Sequence, residues 1–255
     1  MSDSRAALPA GAWTGIRLVA GRELGAYFDS NIAYVYTIAF VVLTNTIFMN
    51  EFFLAGTLEM SAFFELLPLL LSVFLPAVTM RLWAEERKQG TIELLLTLPI
   101  HPLQAILGKY VAALGLYLLF LAGSAPIVVM LLVLGSPDLG PILSGYLGLF
   151  LLGAMFLALG MCLSALSSDQ IIAFVLGMVA CSLLVLGGDD RVVAVVDGLA
   201  PALGAGTLFY ETVSIAPRYQ PFVRGVIELP AVAYFVLQTA LYLWINAILL
   251  ARLRS

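Results

Sequence analysis

The chain has 255 residues, of which 62% are hydrophobic and 11% are charged. Soluble domains are about 45–50% apolar and about 25% charged, so this composition excludes a water-soluble globule and favours a protein that crosses a membrane several times. The formal net charge of −4, from 12 Lys and Arg against 16 Asp and Glu, gives none of the basic excess that nucleic-acid binding requires.

The first predicted element is an amphipathic helix over residues 12–28. Its apolar residues recur at spacings of three and four, as on one helical face: Trp13, Ile16, Ala20, Leu24 and Tyr27. Arg22 and Asp29 lie near the opposite face. Such a helix is expected at the cytoplasmic membrane interface, with the candidate residues Trp13, Arg17, Arg22 and Glu23. The segment lacks the apolar core of a cleavable signal, so we expect it to be retained.

Six charge-poor segments are long enough to cross a bilayer core, which takes about 20 helical residues. They cover residues 31–50, 60–80, 108–134, 142–166, 170–187 and 229–251. None shows the alternation of a membrane barrel strand, so the predicted fold class is an all-α integral membrane protein. Glu65 and Lys109 lie near span ends, where we expect them to reach the lipid headgroups. Pro68, Pro76 and Pro126 are expected to kink their spans.

The basic residues predict the orientation, because Lys and Arg are enriched in cytoplasmic loops. With the N-terminus inside, three basic residues lie outside, namely Arg191, Arg218 and Arg224, and the other nine lie in the cytoplasm. Both termini are therefore predicted to be cytoplasmic.

Residues 189–228 form a semi-apolar stretch on the predicted outer side, which Gly and Pro interrupt too often for a span. A re-entrant or surface-lying helical hairpin is the expected structure. Tyr210, Arg224 and Glu228 are candidate contacts for an extracytoplasmic accessory protein. No second domain is indicated, so residues 1–255 are predicted to form one membrane domain.

The loop over residues 81–107 is the longest cytoplasmic connection. Thr91 is a plausible N-cap for a short helix over residues 92–96, which Pro99 ends. Its apolar surface predicts contact with either a protein partner or the membrane. Gly108-Lys109 lacks the upstream glycine of a phosphate-binding loop, and no residues with catalytic, cofactor-binding or metal-binding spacing are recognised. The chain is therefore not expected to hydrolyse ATP by itself.

The segment AEERKQGTIELLLTLPIHPLQAILGKYVA resembles the signature between the second and third spans of ABC type-2 transporter permeases, E-E-[KR]-x-x-G-T-[IL]-E-x-L-L-[ST]-x-P followed by [LI]-G-K-[YF]. The matching residues are Glu85, Glu86, Arg87, Gly90, Thr91, Glu93, Leu95, Leu96, Thr97, Pro99, Gly108 and Lys109. FVRGVIELPAVAYF, with Glu228 in place of an Asp, and RELGAYFDSNIAYVY, with Asn31 in place of a Pro, are also similar to family motifs. The likeness is greatest to the permeases of gliding motility and nitrous-oxide-reductase maturation.

The resemblance implies a six-span permease subunit of an ATP-driven exporter in a bacterial inner membrane. A coupling helix between the second and third spans would dock on a separate cytoplasmic ATPase, which holds the ATP and Mg²⁺, and a second permease copy would complete a homodimer or heterodimer. The implied coupling residues are Glu85, Glu86, Arg87, Lys88, Gly90, Thr91, Glu93, Leu95, Leu96 and Pro99.

Two other functions are weighed against the exporter. A membrane scaffold could transmit ATP-driven force to an extracytoplasmic partner without moving a solute, as the gliding-motility likeness suggests. An ion-coupled carrier is disfavoured because the spans nearly lack ionisable groups. The substrate is not identified, although the aliphatic spans would suit a lipid-like or large amphipathic cargo.

Overall fold

The computed structural model of the protein describes residues 12–56, 59–91, 102–199 and 205–253. Regular secondary structure in these ranges is helical throughout. The helices are α1 (Ala12–Phe28), α2 (Asn31–Ala55), α3 (Ser61–Thr79), α4 (Arg81–Lys88), α5 (Pro102–Ala122), α6 (Ala125–Leu134), α7 (Leu139–Leu166), α8 (Gln170–Leu186), α9 (Asp190–Leu199), α10 (Ala205–Thr212), α11 (Ala216–Val223) and α12 (Leu229–Leu253).

Five segments of the described chain are long and apolar enough to cross a membrane. They are Ala33–Leu54, Ser61–Lys88, Pro102–Leu134, Leu139–Leu166 and Leu229–Arg252. A sixth span is present if α8 is counted together with α9, to which it is joined at an angle of 90°. The prediction of an all-helical, multi-pass membrane protein is therefore confirmed, with five or six spans.

Helix α7 is the centre of the bundle, and 72% of its most apolar 18-residue stretch is buried. It is packed closely because glycines stand where neighbouring side chains cross it. A β carbon on Gly153 would overlap the ring of Tyr117 in α5, and one on Gly160 would overlap the hydroxyl of Thr79 in α3. Small residues thus allow the helices to approach each other, as they do in many membrane bundles.

The span formed by α5 and α6 is interrupted at Gly123 and Ser124. The polar groups at this break are bonded to other helices. The amide of Asn45 in α2 donates to the Gly123 carbonyl at 3.2 Å, and the Ser124 hydroxyl lies 2.7 Å from that of Tyr146 in α7. Pro126 lies in the first turn of α6, where its missing N–H leaves no intrahelical bond unmade. The span is therefore broken before the proline and not kinked at it.

The position of Lys109 differs from the sequence-based expectation. Helix α5 begins at Pro102, so Lys109 lies inside the helix, and its side chain is only 2% exposed. The prediction that Lys109 reaches the lipid headgroups is wrong. Carboxylates from two other helices pair with its ammonium group, which removes the need for water. Glu65, by contrast, is exposed near the start of α3.

The segment after α8 divides into two parts. Helices α9 and α10 pack on each other, and the Asp197 carboxylate accepts from the Gly206 N–H at 2.7 Å and from the Thr207 hydroxyl at 2.7 Å. Helix α11 belongs to the body of the bundle, because the Tyr219 hydroxyl donates to the Phe64 carbonyl at 2.9 Å. We call the end of the bundle covered by α9, α10 and α11 the capped end. The predicted hairpin thus corresponds to α9 and α10 only.

Candidate functional site

Three segments that the sequence motifs single out meet at the end opposite the capped end. The Lys109 ammonium of α5 lies 3.0 Å from Glu23 Oε1 of α1 and 2.8 Å from Glu86 Oε1 of α4. The Arg22 guanidinium lies 2.7 Å from Glu23 Oε1 and 3.7 Å from Glu86 Oε1. We call these four residues the charged junction. They join α1 to α4 and α5, which follow it in the sequence by more than 50 residues.

Helix α1 lies along the first turns of α5 because small residues allow a close approach. A β carbon on Gly108 would come within 2.6 Å of the Val19 side chain, and Leu24 packs above Gly115. The two helices run in the same direction. Ile16 and most of the predicted apolar face are buried, whereas Trp13 is 82% exposed. The periodicity of α1 therefore reflects packing on the protein.

Helix α4 is held on the end of α7. The Ser164 hydroxyl accepts from the backbone N–H groups of Trp83 and Ala84, both at 3.2 Å, and donates to the Met80 carbonyl at 2.8 Å. The Arg87 guanidinium donates to the Ala165 carbonyl at 2.6 Å. These bonds satisfy backbone groups at the start of α4. They also fix the orientation of α4, and with it the direction in which Glu86 projects.

Aromatic rings complete the surroundings of the charged junction. The Lys109 ammonium lies 5.1 Å from the centre of the Trp83 ring, within range of a cation–π interaction. The Arg81 guanidinium lies 5.7 Å from the ring of Tyr27, whose hydroxyl donates to the Val78 carbonyl at 3.0 Å. Arg81 also forms an ion pair of 3.5 Å with Glu85. The end of α3, α1 and α4 are thereby connected.

Three of the four residues of the charged junction are largely withdrawn from water, since the side chains of Lys109, Glu23 and Glu86 are 2%, 15% and 18% exposed. The fourth, Arg22, is 57% exposed. Burial by itself raises the pKa of Glu23, but the nearby Lys109 and Arg22 outweigh it, so the pKa of Glu23 is lowered. The hydrogen bond to Glu23 raises the pKa of Arg22. Glu23 is therefore ionised at neutral pH.

Two buried polar groups of α4 lack a hydrogen-bond partner within the described part of the chain. They are Glu86 Oε2 and the indole N–H of Trp83, neither of which has a hydrogen-bond partner there. Glu86 and Trp83 are three residues apart and so lie on one helical face. A buried polar network that is only partly satisfied is costly. The network thus has a donor and an acceptor left for a further interaction.

The candidate coupling residues divide into those at the junction and those outside the described residues. Glu85, Glu86 and Arg87 lie on α4 and form the contacts above, and Lys88 is exposed. Gly90 has the left-handed φ of 67° that ends the helix, and Thr91 is hydrogen-bonded back to the Glu86 carbonyl. The residues outside the described ranges are Glu93, Leu95, Leu96 and Pro99.

Sequence reasoning missed Lys109, Trp83 and Tyr27 as members of this site. The available signal was the pair Gly108-Lys109, which belongs to the family motif and begins the third predicted span. The two residues of this pair have different roles. Gly108 has no side chain, which allows α1 to approach α5 closely, and Lys109 forms an ion pair with Glu23 of α1. Arg17, a predicted member, is exposed on α1.

The three candidate residues of segment 189–228 lie around one cleft at the capped end. Tyr210, Arg224 and Glu228 line a space of about 430 Å³ between α11 and the start of α12. They are therefore brought together, although they come from three different parts of the segment. The cleft lies at the other end of the bundle from the charged junction.

The charged junction holds helices together through paired charges. The described residues contain no group of three or more His, Cys, Asp or Glu side chains that could hold a metal ion. The charged groups pair with each other, and such buried pairs hold elements in register. The arrangement can transmit a displacement of α4 to α1, α5 and α7.

Comparison with known proteins identifies the family of this chain. The family model described as ABC-2 family transporter protein matches residues 31–251, which is most of the chain. None of the curated proteins matches it. The matched range includes α4 and Lys109, and it leaves out α1.

Proposed function

Since this chain belongs to the ABC-2 family of transporter proteins and is a membrane permease subunit of an ABC transporter, we propose that it works as an exporter through its charged junction. A separate cytoplasmic ATPase, the partner that the family implies, would bind the ATP and Mg²⁺. ATP hydrolysis there would move α4, and the junction would pass this movement to the spans.

The observation that carries the proposal is the position of the charged junction beside the loop between α4 and α5. The ion pairs of Lys109 tie both helices that flank this loop to α1. Ser164 and Arg87 tie α4 to the central helix α7. A partner that displaces the loop would therefore move four helices together, as in a rigid-body switch.

The open groups on α4 support a junction that rearranges. Glu86 Oε2 and the Trp83 N–H have no partner within the described part, so a second arrangement that satisfies them would compete with the present one. Allosteric transitions need such a two-state element. The coupling helix over residues 92–96, with Glu93, Leu95, Leu96 and Pro99, remains part of this proposal.

A second permease copy is also part of the proposal. In the isolated chain only 17% of the most apolar 18-residue stretch of α2 is buried. Lipid and a second copy would share this surface, in a homodimer or a heterodimer within a bacterial inner membrane. Cross-linking of single-cysteine variants in α2 and α8 tests the dimer, and cross-links between identical positions would indicate a homodimer.

The coupling proposal is tested by the ATPase activity of the assembled complex in membranes. Glu86→Gln removes a charge from the junction, and Leu95→Asp alters the proposed coupling helix. We expect either change to lower the permease-dependent ATPase activity by about tenfold, a usual size for coupling between two sites.

Asp29→Asn is the control, because Asp29 is an exposed carboxylate just after α1 and is not part of the charged junction. It should leave the ATPase activity within about twofold of the unmodified complex, as exposed surface substitutions usually have small effects. Unchanged activity and unchanged association with the ATPase in both Glu86→Gln and Leu95→Asp would contradict the proposal.

A further inference from the structure

The cleft at the capped end has the size and lining of a small-molecule site. Its volume is about 430 Å³, and pockets for small ligands usually measure about 300–1,000 Å³. The lining includes Tyr210, Gln220, Pro221, Arg224, Val226 and Glu228. These residues come from α10, α11 and the turn before α12.

The turn that carries Arg224 is held firmly. The Arg224 N–H donates to the Gln220 carbonyl at 3.2 Å, and the Val226 N–H donates to the Pro221 carbonyl at 2.9 Å. Gly225 has a left-handed φ of 89° and lies against Pro141 of α7. The backbone therefore presents Arg224 from a fixed position on the bundle.

The charges of the two charged residues of the cleft are not neutralised by an ion pair within the described part of the chain. Arg224 and Glu228 form no ion pair within 4.0 Å in the part of the chain that the structure describes. Arg224 also borders a smaller cleft of about 270 Å³ with Glu59 and Asp138, and it is not paired with these either. A separated positive and negative group in one cleft complement a ligand that carries both charges.

An apolar surface leads away from the cleft along α12. Val226, Ile227 and Leu229 beside the cleft are all more than half exposed, Leu229 by 79%. The exposed side chains continue along the span through Leu237 and Trp244. Only 11% of the most apolar 18-residue stretch of this helix is buried. In a membrane, this stripe is available to acyl chains.

We propose that the cleft binds a zwitterionic phospholipid with a primary ammonium headgroup, as in phosphatidylethanolamine. Arg224 holds the phosphate by charge-assisted hydrogen bonds, and Glu228 holds the ammonium group. The acyl chains lie along the exposed stripe of α12, and Tyr210 lies at headgroup level, where aromatic side chains are enriched. This inference requires that the chain spans a membrane, and it is independent of the ATPase coupling.

The test is native mass spectrometry of the purified full chain released from nanodiscs that contain phosphatidylethanolamine and phosphatidylglycerol in equal amounts. We expect one phosphatidylethanolamine to remain bound. Arg224→Gln and Glu228→Gln should each reduce its occupancy by about tenfold, the effect of losing one charge-assisted hydrogen bond. Arg224→Lys should retain most of the binding, since it keeps the positive charge.

Two variants at the capped end are matched controls, because Arg191 and Glu211 are exposed and do not line the cleft. Arg191→Gln and Glu211→Gln should leave the lipid bound as in the unmodified chain. Phosphatidylcholine, which lacks the ammonium N–H donors, should bind several-fold more weakly than phosphatidylethanolamine, since it cannot donate to Glu228.

Several results would overturn the proposal. One is equal retention of phosphatidylethanolamine and phosphatidylglycerol, and another is unchanged retention in Arg224→Gln. Displacement of the lipid by millimolar inorganic phosphate would indicate a site for a free anion. A disulfide between two copies of a Val226→Cys variant in membranes, or a cross-link from this position to another protein, would show that a protein covers the cleft.

Discussion

The side chain of Lys109 shows how one buried charge can organise three helices. Its ammonium group lies within 3.0 Å of carboxylates from α1 and α4. The sequence places this lysine near a span end, where a long basic side chain commonly reaches the headgroups. Pattern reasoning cannot reveal the pairing, because Glu23 and Glu86 are distant in the chain. The folded structure supplies both partners.

Removal of this lysine should strongly destabilise the protein. Lys109→Gln leaves Glu23 and Glu86 as partly buried carboxylates with reduced compensation, and breaking such a pair costs about 3–5 kcal/mol when fully buried. We expect a loss of about 3 kcal/mol in the free energy of unfolding, measured in detergent with denaturant. Lys88→Gln on the exposed side of α4 should change it by less than about 0.5 kcal/mol. Equal effects of the two substitutions would contradict the assigned role of Lys109.

The ion pairs of Glu23 should attach α1 to the bundle less strongly in acid than at neutral pH. Its pKa lies below its ordinary value of 4.5, so the ionised carboxylate stabilises the fold above about pH 4.5. This contribution is lost as the pH falls through the lowered pKa. The difference in unfolding free energy between the unmodified chain and Glu23→Gln should therefore shrink in acid. Asp29→Asn, at an exposed residue, is the control, and a difference for Glu23→Gln that persists unchanged to pH 2 would refute the prediction.

At the scale of helices, the positions of glycines decide which elements can touch. In α7, Gly153 faces the ring of Tyr117, whose hydroxyl donates to the Leu149 carbonyl at 2.6 Å. In α5, Gly108 admits α1. The positions of the glycines can be read from the sequence, but the partner of each glycine depends on how the helices are arranged. Spacing along a single helix does not contain that information.

Adding one methyl group at the centre of the bundle tests this packing. Gly153→Ala places a β carbon in the ring of Tyr117, and such overpacking costs about 1–3 kcal/mol. We expect a lower melting temperature in detergent. Gly21→Ala in α1 is the matched control, because no atom lies within 4 Å of the added carbon. It should be neutral or stabilise the helix by about 0.5–1 kcal/mol. The same loss in both variants would argue against close packing at Gly153.

At the scale of the whole molecule, the two ends of the bundle differ in charge. The described basic residues of the capped end are Arg191, Arg218 and Arg224, whereas those at the other end are Arg17, Arg22, Arg81, Arg87, Lys88, Lys109 and Arg252. Basic residues favour the cytoplasmic side of a membrane. The fold thus gathers the basic residues of separate loops at one end.

This charge asymmetry predicts the orientation in the membrane. A membrane-impermeant thiol reagent should label Glu211→Cys at the capped end in intact cells, and Lys88→Cys only in inverted vesicles. Both residues are exposed, and the native Cys162 and Cys181 are buried. Labelling of Lys88→Cys in intact cells would reverse the assignment, and the unsubstituted chain controls for the native thiols.

The amino-acid sequence by itself determined that the chain is helical and lies in a membrane, because uninterrupted apolar runs have no other low-energy environment. It also identified the ABC-2 family through the motif around Glu85 and Glu86. Only the tertiary structure decided that Lys109 is buried between two carboxylates, that the third span is broken at Gly123, and that α11 packs into the bundle. These features depend on contacts between distant residues, whose pairing is set by helix packing and leaves no period in the sequence.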